Sequence, residues 1–174
     1  MNIRCDHLLD AVAAAQAQGA LRTFRGIKYS DADLHIYSNC VHAHGGAFDI
    51  AYGKDEQMLG ALAMGAKAFV GSTYNYSGRV SNKVIELWGK GDAKGALEAH
   101  RTLQKLVNLL YGAAAYGPAA CNAGKAMMEW RIRTTTGKAA GVFCGPPRAP
   151  GVPVTAEGME KLKADLDALG FFQF

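Results

Sequence analysis

No Cys-x-x-Cys pair occurs in this 174-residue chain. Its four cysteines, Cys5, Cys40, Cys121 and Cys144, stand far apart. Neither a zinc knuckle nor a disulfide framework is indicated, and reduced thiols in a cytoplasmic protein are expected. No signal-peptide pattern is apparent. No apolar run approaches the ~20 residues that cross a bilayer, and the longest, around Leu106 to Tyr116, contains Asn108 and Gly112. A concentrated basic surface is missing too: the net charge is only +4 and the Lys and Arg residues are scattered, which argues against nucleic-acid partners. There is no internal repeat or low-complexity tract. What remains is the composition of a soluble globular protein, 49% apolar and 20% charged. The length allows one domain with a sizeable core.

Helical and strand patterns alternate through the first half. Asp6 to Gln18 carries Leu8, Leu9, Val12 and Ala13 on one helical face and stops at Gly19. Phe24 to Tyr29 suits a buried strand, after which Asp31 is placed to cap a helix bearing Leu34, Tyr37 and Val41. Phe48 to Tyr52 is a second strand, and a helix follows from about Asp55 with Met58, Leu59, Leu62 and Ala63 in register. Ala66 to Val70 is a third strand, and Ser81 to Trp88 a further helix. Such alternation argues for parallel βαβ units, hence an α/β class.

After Gly91 the pattern changes to helices only. Asp92 is placed to cap a long helix through Leu110, Pro118 to about Arg133 reads as another, and Thr155 as the cap of a third carrying Met159, Leu162, Leu166 and Leu169. The proline-rich segment Gly145 to Pro150 reads as a loop. The expected division is therefore 1–91, strands with helices, and 92–174, a helical extension of the same domain. About three βα units are short of a (β/α)8 barrel, which takes about 250 residues. An open three-stranded parallel sheet leaves two bare edges.

Polar groups gather at the three expected strand ends: Lys28 to Ser30, Tyr52 to Glu56 and Gly71 to Asn75. In parallel α/β folds that is where chemistry sits. A lysine within Gly-Ile-Lys-Tyr is awkward, because burying an ammonium is costly. Burial lowers its pKa and frees a nucleophilic amine able to form a Schiff base with a ketone. The simpler structural reading is a lysine snorkelling from a strand end. Asp55 and Glu56 read either as compensation for a helix N-terminus or as acceptors for a polyhydroxylated substrate. Gly71-Ser72-Thr73 reads either as a plain strand-to-helix turn or as a source of hydroxyls and close backbone approach. His42 and His44, with Cys40 nearby, lack a second ligand cluster, so no metal site is expected. Met127, Met128 and Trp130 read as core, and His100 as structural or surface.

The order of these motifs adds a resemblance. Gly26-Ile27-Lys28-Tyr29-Ser30-Asp31-Ala32-Asp33-Leu34 resembles the Schiff-base strand of the pyruvate-dependent aldolases, a superfamily that includes dihydrodipicolinate synthase. Tyr52-Gly53-Lys54-Asp55-Glu56-Gln57 and Gly71-Ser72-Thr73-Tyr74-Asn75-Tyr76 are similar to the next two strand ends of its sialic acid (N-acetylneuraminate) lyases. Gly145-Pro146-Pro147-Arg148 with a closing helix resembles the tail of the animal-type enzymes. The similarity runs from about Ile3 to Phe172.

This resemblance implies the C-terminal part of a TIM barrel, strands six to eight, followed by the helical extension. It implies reversible class I aldol cleavage of N-acetylneuraminate to pyruvate and N-acetylmannosamine, with Lys28 as the catalytic amine. Ser30, Gly53, Asp55, Glu56 and Ser72 are then the substrate-binding residues. No metal or organic cofactor is implied. The partners implied are small molecules, sialic acid and pyruvate, with homo-oligomerisation at full length and neither nucleic acid nor membrane.

Departures accompany the resemblance. The family's first five strands are absent, and with them the loop that binds the pyruvate carboxylate and the proton-shuttling tyrosine. Tyr29 is no substitute, since a residue next to Lys28 in a strand faces the other way. Lys54 stands where an uncharged residue is usual. Impaired activity of this chain alone is expected, with exposed edges favouring aggregation, self-association or pairing with a missing half. Two other readings are another pyruvate-dependent aldolase acting on a different oxo acid, and a non-catalytic relative acting as an assembly module.

Overall fold

In a computed structural model of the chain, residues 3–111, 123–130, 145–149 and 151–171 are described. Helix α1 (Cys5–Ala17) leads to strand β1 (Gly26–Tyr29), helix α2 (Leu34–His42) to β2 (Asp49–Tyr52), and helix α3 (Met58–Ala63) to β3 (Ala68–Phe69). Then come α4 (Tyr74–Gly89), α5 (Ala93–Tyr111), α6 (residues 123–130) and α7 (Ala156–Ala168). The fold is mixed α/β with a three-stranded parallel sheet in the order β1-β2-β3. Among the described residues no helix is long and apolar enough to cross a membrane.

The chain divides into two compact units, Met1–Gly71 and Ser72–Phe174. The change from strands with helices to helices alone falls later, at Gly91. The two boundaries describe different things, one the packing and the other the order of elements.

The register of the first unit's sheet decides what each face carries. Tyr29 pairs with Tyr52 and Tyr52 with Phe69, while Lys28 pairs with Ala51 and Ala51 with Ala68. Since side chains alternate across a strand, one face presents an aromatic row and the other a lysine beside two alanines. The aromatic face is the buried one. Tyr29, Ile50 and Tyr52 pack with Leu9 and Val12 of α1 and Tyr37 and Cys40 of α2 in one core. Leu8, expected on the same helical face, is exposed. Each large apolar side chain buried this way stabilises the unit by roughly 1.5–3 kcal/mol.

Local signals explain most boundaries. α2 is capped by Asp33, whose carboxylate accepts from the Ile36 amide at 3.0 Å. The expected cap, Asp31, instead accepts from the Asp33 amide at 3.1 Å, an Asx turn that sets up the true cap. The helix expected from Asp55 begins as a single 3-10 turn, Asp55–Gln57, before α3. β3 is shorter than expected because the Ala66 amide closes α3, donating to the Ala61 carbonyl at 2.9 Å. Asp92 and Thr155 cap α5 and α7 as expected, accepting from Gly95 at 2.8 Å and Gly158 at 3.0 Å. Of the helix expected over Pro118 to Arg133, residues 123–130 are helical and the remainder lies outside the described residues. Residues 145–149 contain no helix.

Candidate active site

Lys28 and Ser30 project from alternate positions at the end of β1, on the sheet face away from the core. Both are exposed. Of the two readings of its strand setting, burial and snorkelling from the strand end, the exposure of Lys28 agrees with the second. The face it occupies carries Ala51 and Ala68 beside it, so small neighbours leave the amine accessible. Tyr29 points the other way, as expected: it is buried, and its hydroxyl donates to the Asp33 carbonyl at 2.8 Å.

Gly53 is the contact point between the first two strand ends. Its amide donates to the Tyr29 carbonyl at 2.7 Å, extending the ladder one step beyond the strands. A Cβ at this position would lie 2.6 Å from Lys28 Cε and would overlap the Ser30 hydroxyl. A side chain there would have to displace the lysine stem and the serine hydroxyl. Lys28, Ser30 and Gly53 thus form one cluster.

Asp55 and Glu56 lie two and three residues further on, in the 3-10 turn that follows β2. Asp55 is almost fully buried at 4% exposure, an unusual setting for a carboxylate. It sits against the end of β3, where a Cβ on Gly71 would overlap its carboxylate. Glu56 is half-buried and pairs with Lys54 at 3.5 Å. The adjacent acids have different surroundings, one enclosed and one facing the rim. Ser72 belongs to the second unit, is exposed, and its carbonyl accepts from the Asn75 side chain at 3.0 Å.

Beneath the strand ends lies a support that the sequence reading did not assign to the site. Tyr29, Tyr37 and Tyr52 form a triangle of rings, with centroids 5.5 Å apart for Tyr29 and Tyr37, 6.2 Å for Tyr29 and Tyr52, and 4.7 Å for Tyr37 and Tyr52. Their hydroxyls reach backbone near the site. Tyr37 donates to the Ile50 carbonyl at 3.3 Å, and the Tyr52 hydroxyl donates to the Gln57 side-chain oxygen and lies 3.4 Å from the Asp31 carbonyl. Tyr52 ties the loop after β1 to the turn carrying Asp55 and Glu56. Burial pushes the Tyr37 phenol up to about 12; burial, then the nearby Glu56 charge, does the same for Tyr52. The signal in sequence was the period of two: tyrosines at positions 29 and 52 fall opposite Lys28 and Ala51.

The histidines near the end of α2 are otherwise engaged. The His42 ring hydrogen-bonds with the Ser38 carbonyl at 2.8 Å and His44 pairs with Asp10 at 2.9 Å. Cys40 is buried in the core, which raises its thiol to about 11. Of the residues read as core, Met127 is fully buried and Met128 and Trp130 are half-buried, while His100, read as structural or surface, is buried on α5.

The profile of the dihydrodipicolinate synthetase family matches residues 19–169. An N-acetylneuraminate lyase of Sus scrofa is 33% identical over 175 residues, taking in 100% of this chain and 50% of the lyase. The solved N-acetylneuraminate lyase of Proteus mirabilis matches with a TM-score of 0.80 at 28% identity, covering 98% of this chain and 51% of that one. The N-acetylneuraminate lyase of Aliivibrio salmonicida also gives a TM-score of 0.80, at 32% identity, covering 98% and 50%. The chain spans about half the length of the curated relatives it matches.

Proposed function

The chain belongs to the dihydrodipicolinate synthetase family, and from that premise we propose that it carries the Schiff-base lysine and the sugar-binding edge of a class I aldolase acting on N-acetylneuraminate. The observation that supports this most is the apposition of Lys28, Ser30 and Gly53 on an open sheet face, with Asp55 and Glu56 at the next strand end.

In its neutral form the Lys28 amine attacks the C2 ketone of the open-chain sugar acid, water leaves, and an iminium forms. The C4 hydroxyl gives up its proton to a base and the C3–C4 bond breaks. Its electron pair neutralises the iminium as an enamine, and C4 departs as the aldehyde of N-acetylmannosamine. Protonation at C3 and addition of water then release pyruvate and restore the amine. Tyr29 is not the base, because its ring is buried on the opposite face and its hydroxyl is committed to Asp33. Ser30 contacts the substrate beside the lysine, and within the first unit Gly53, Asp55 and Glu56 hold the polyol. The chemistry needs no metal or organic cofactor.

In this reading residues 1–91 form part of a (β/α)8 barrel and 92–174 its helical extension, in a cytoplasmic protein. Within the described residues β1 and β3 are the edges of the sheet. Unpaired strand edges seek partners, so the chain self-associates or pairs with complementary strands. A homo-oligomer is the expected assembly of the whole enzyme.

Borohydride trapping with N-acetylneuraminate tests the substrate. A Lys28 adduct of pyruvate mass means that cleavage has occurred. An adduct of the whole sugar acid means that the Schiff base forms and the chain stops there. Labelling by pyruvate with none by N-acetylneuraminate would contradict the substrate assignment and point to an aldolase for another oxo acid.

A further inference from the structure

Lys54 separates Gly53 from the Asp55–Gln57 turn, and its ammonium lies 3.5 Å from the Glu56 carboxylate. The two side chains are 31% and 38% exposed, so both remain within reach of a ligand while being held in place by partial burial. A pair this open contributes little to folding stability, so its position at the rim of the candidate site calls for another explanation.

The chemistry of the pair supplies one. An ammonium only donates hydrogen bonds and a carboxylate only accepts them, whereas a hydroxyl does both. Two adjacent hydroxyls of a substrate can donate to Glu56 and accept from Lys54 while the two charges stay close enough to neutralise each other. An apolar tail satisfies neither group. The Lys54 ammonium beside the Glu56 carboxylate also places a positive charge at this rim, which favours a substrate that is itself a carboxylate.

We propose that Lys54 is a specificity-determining residue, which with Glu56 selects 2-oxo acids bearing a polyhydroxylated tail. The inference rests on the reading of Lys28 as the Schiff-base lysine, and the test separates the two. The full chain, K54M and K54R are titrated with pyruvate and with N-acetylneuraminate, and borohydride-trapped Lys28 is quantified by intact mass. The ratio of half-saturating N-acetylneuraminate to half-saturating pyruvate is the readout, since pyruvate has no tail to contact Lys54. Labelling by pyruvate also reports that each variant is folded.

The ratio should rise about tenfold in K54M, the effect of one charge-assisted hydrogen bond, and return towards the original in K54R, which keeps the cation. An unchanged ratio in K54M, or a loss in K54R equal to that in K54M, would overturn the assignment. Failure of pyruvate to label Lys28 in the unaltered chain would instead remove the Schiff-base reading, and this inference with it.

Discussion

Gly53 and Lys28 are in contact across two strand ends, close enough that a side chain on the glycine would fall 2.6 Å from Lys28 Cε. The same carbon would overlap the Ser30 hydroxyl. One missing side chain thus sets the space in which the lysine amine and its neighbouring hydroxyl move.

Gly53→Ala should therefore act on the amine more than on the fold. Overpacking costs about 1–3 kcal/mol, and the lysine end is a flexible chain that can move aside. The expected result is a modest drop in denaturation midpoint with a loss of at least about tenfold in the rate of Lys28 labelling by pyruvate, since small misplacements of a reacting group are costly. Parallel urea melts and mass analysis of the trapped adduct check both.

Gly71 and Asp55 make a second such contact, and it yields a coupling. Gly71→Ala should destabilise by about 1–3 kcal/mol, because the new carbon meets a buried carboxylate. In Asp55→Ala the obstruction is absent, so adding Gly71→Ala to it should cost less than in the unaltered chain. A double-mutant cycle by urea denaturation is expected to show a coupling of about 1 kcal/mol. Additivity would mean that the two groups do not meet.

At alkaline pH the tyrosine triangle should hold the first unit together and then release it. Tyr37 and Tyr52 are raised to about 12 by burial, and an unfolded tyrosine titrates near ~10. The raised values favour the neutral phenols, so this stabilisation is fully present below pH ~10 and is lost as pH rises through about 12. Tyrosinate absorbance should lag behind that of free tyrosine. Removing Tyr37 and Tyr52 together as phenylalanines should abolish most of the delayed fraction.

At acid pH the control lies at the start of α1. Asp6 accepts from Arg4 at 3.1 Å and from Asn39 of α2 at 3.2 Å. The Arg4 hydrogen bond holds its carboxyl well below the usual carboxylate range, and Asn39 and the His7 amide add to this. A depressed value gives stability that is present above the unfolded aspartate range, near ~3.9, and disappears as pH falls through the native value. Asp6→Asn should melt lower than the unaltered chain at neutral pH, and the difference should shrink on acidification. A difference independent of pH would contradict the role of the charge.

Much of the fold and site was legible because the relevant signals were local. Glycines, caps and short apolar runs marked all three strands, and the polar residues after them identified the strand ends. What escaped has physical causes. The helix expected over Ser81 to Trp88 begins at Tyr74. Its early buried stripe is Thr73, Ser77 and Ser81, hydroxyls within 3.3 and 3.4 Å of one another, so hydrophobic periodicity could not reveal it. For Lys28 the sequence leaves burial and snorkelling from the strand end both open, and its exposure agrees with the second, because a sequence does not say which side of a sheet is covered. Pairing of Lys28 with Ala51, and of Ala51 with Ala68, is non-local information. Tyr37 and Tyr52 read as core, and their hydroxyl contacts to the strand-end loops required the folded chain.

The central claim is that Lys28 is a Schiff-base amine. Its most direct test is intact-mass analysis after incubation with pyruvate and borohydride, with Lys28→Ala in parallel. The expected result is a single pyruvate-sized adduct that maps to Lys28 and is absent from the variant. Folded chain that gains no adduct, or gains one equally in Lys28→Ala, would contradict the claim.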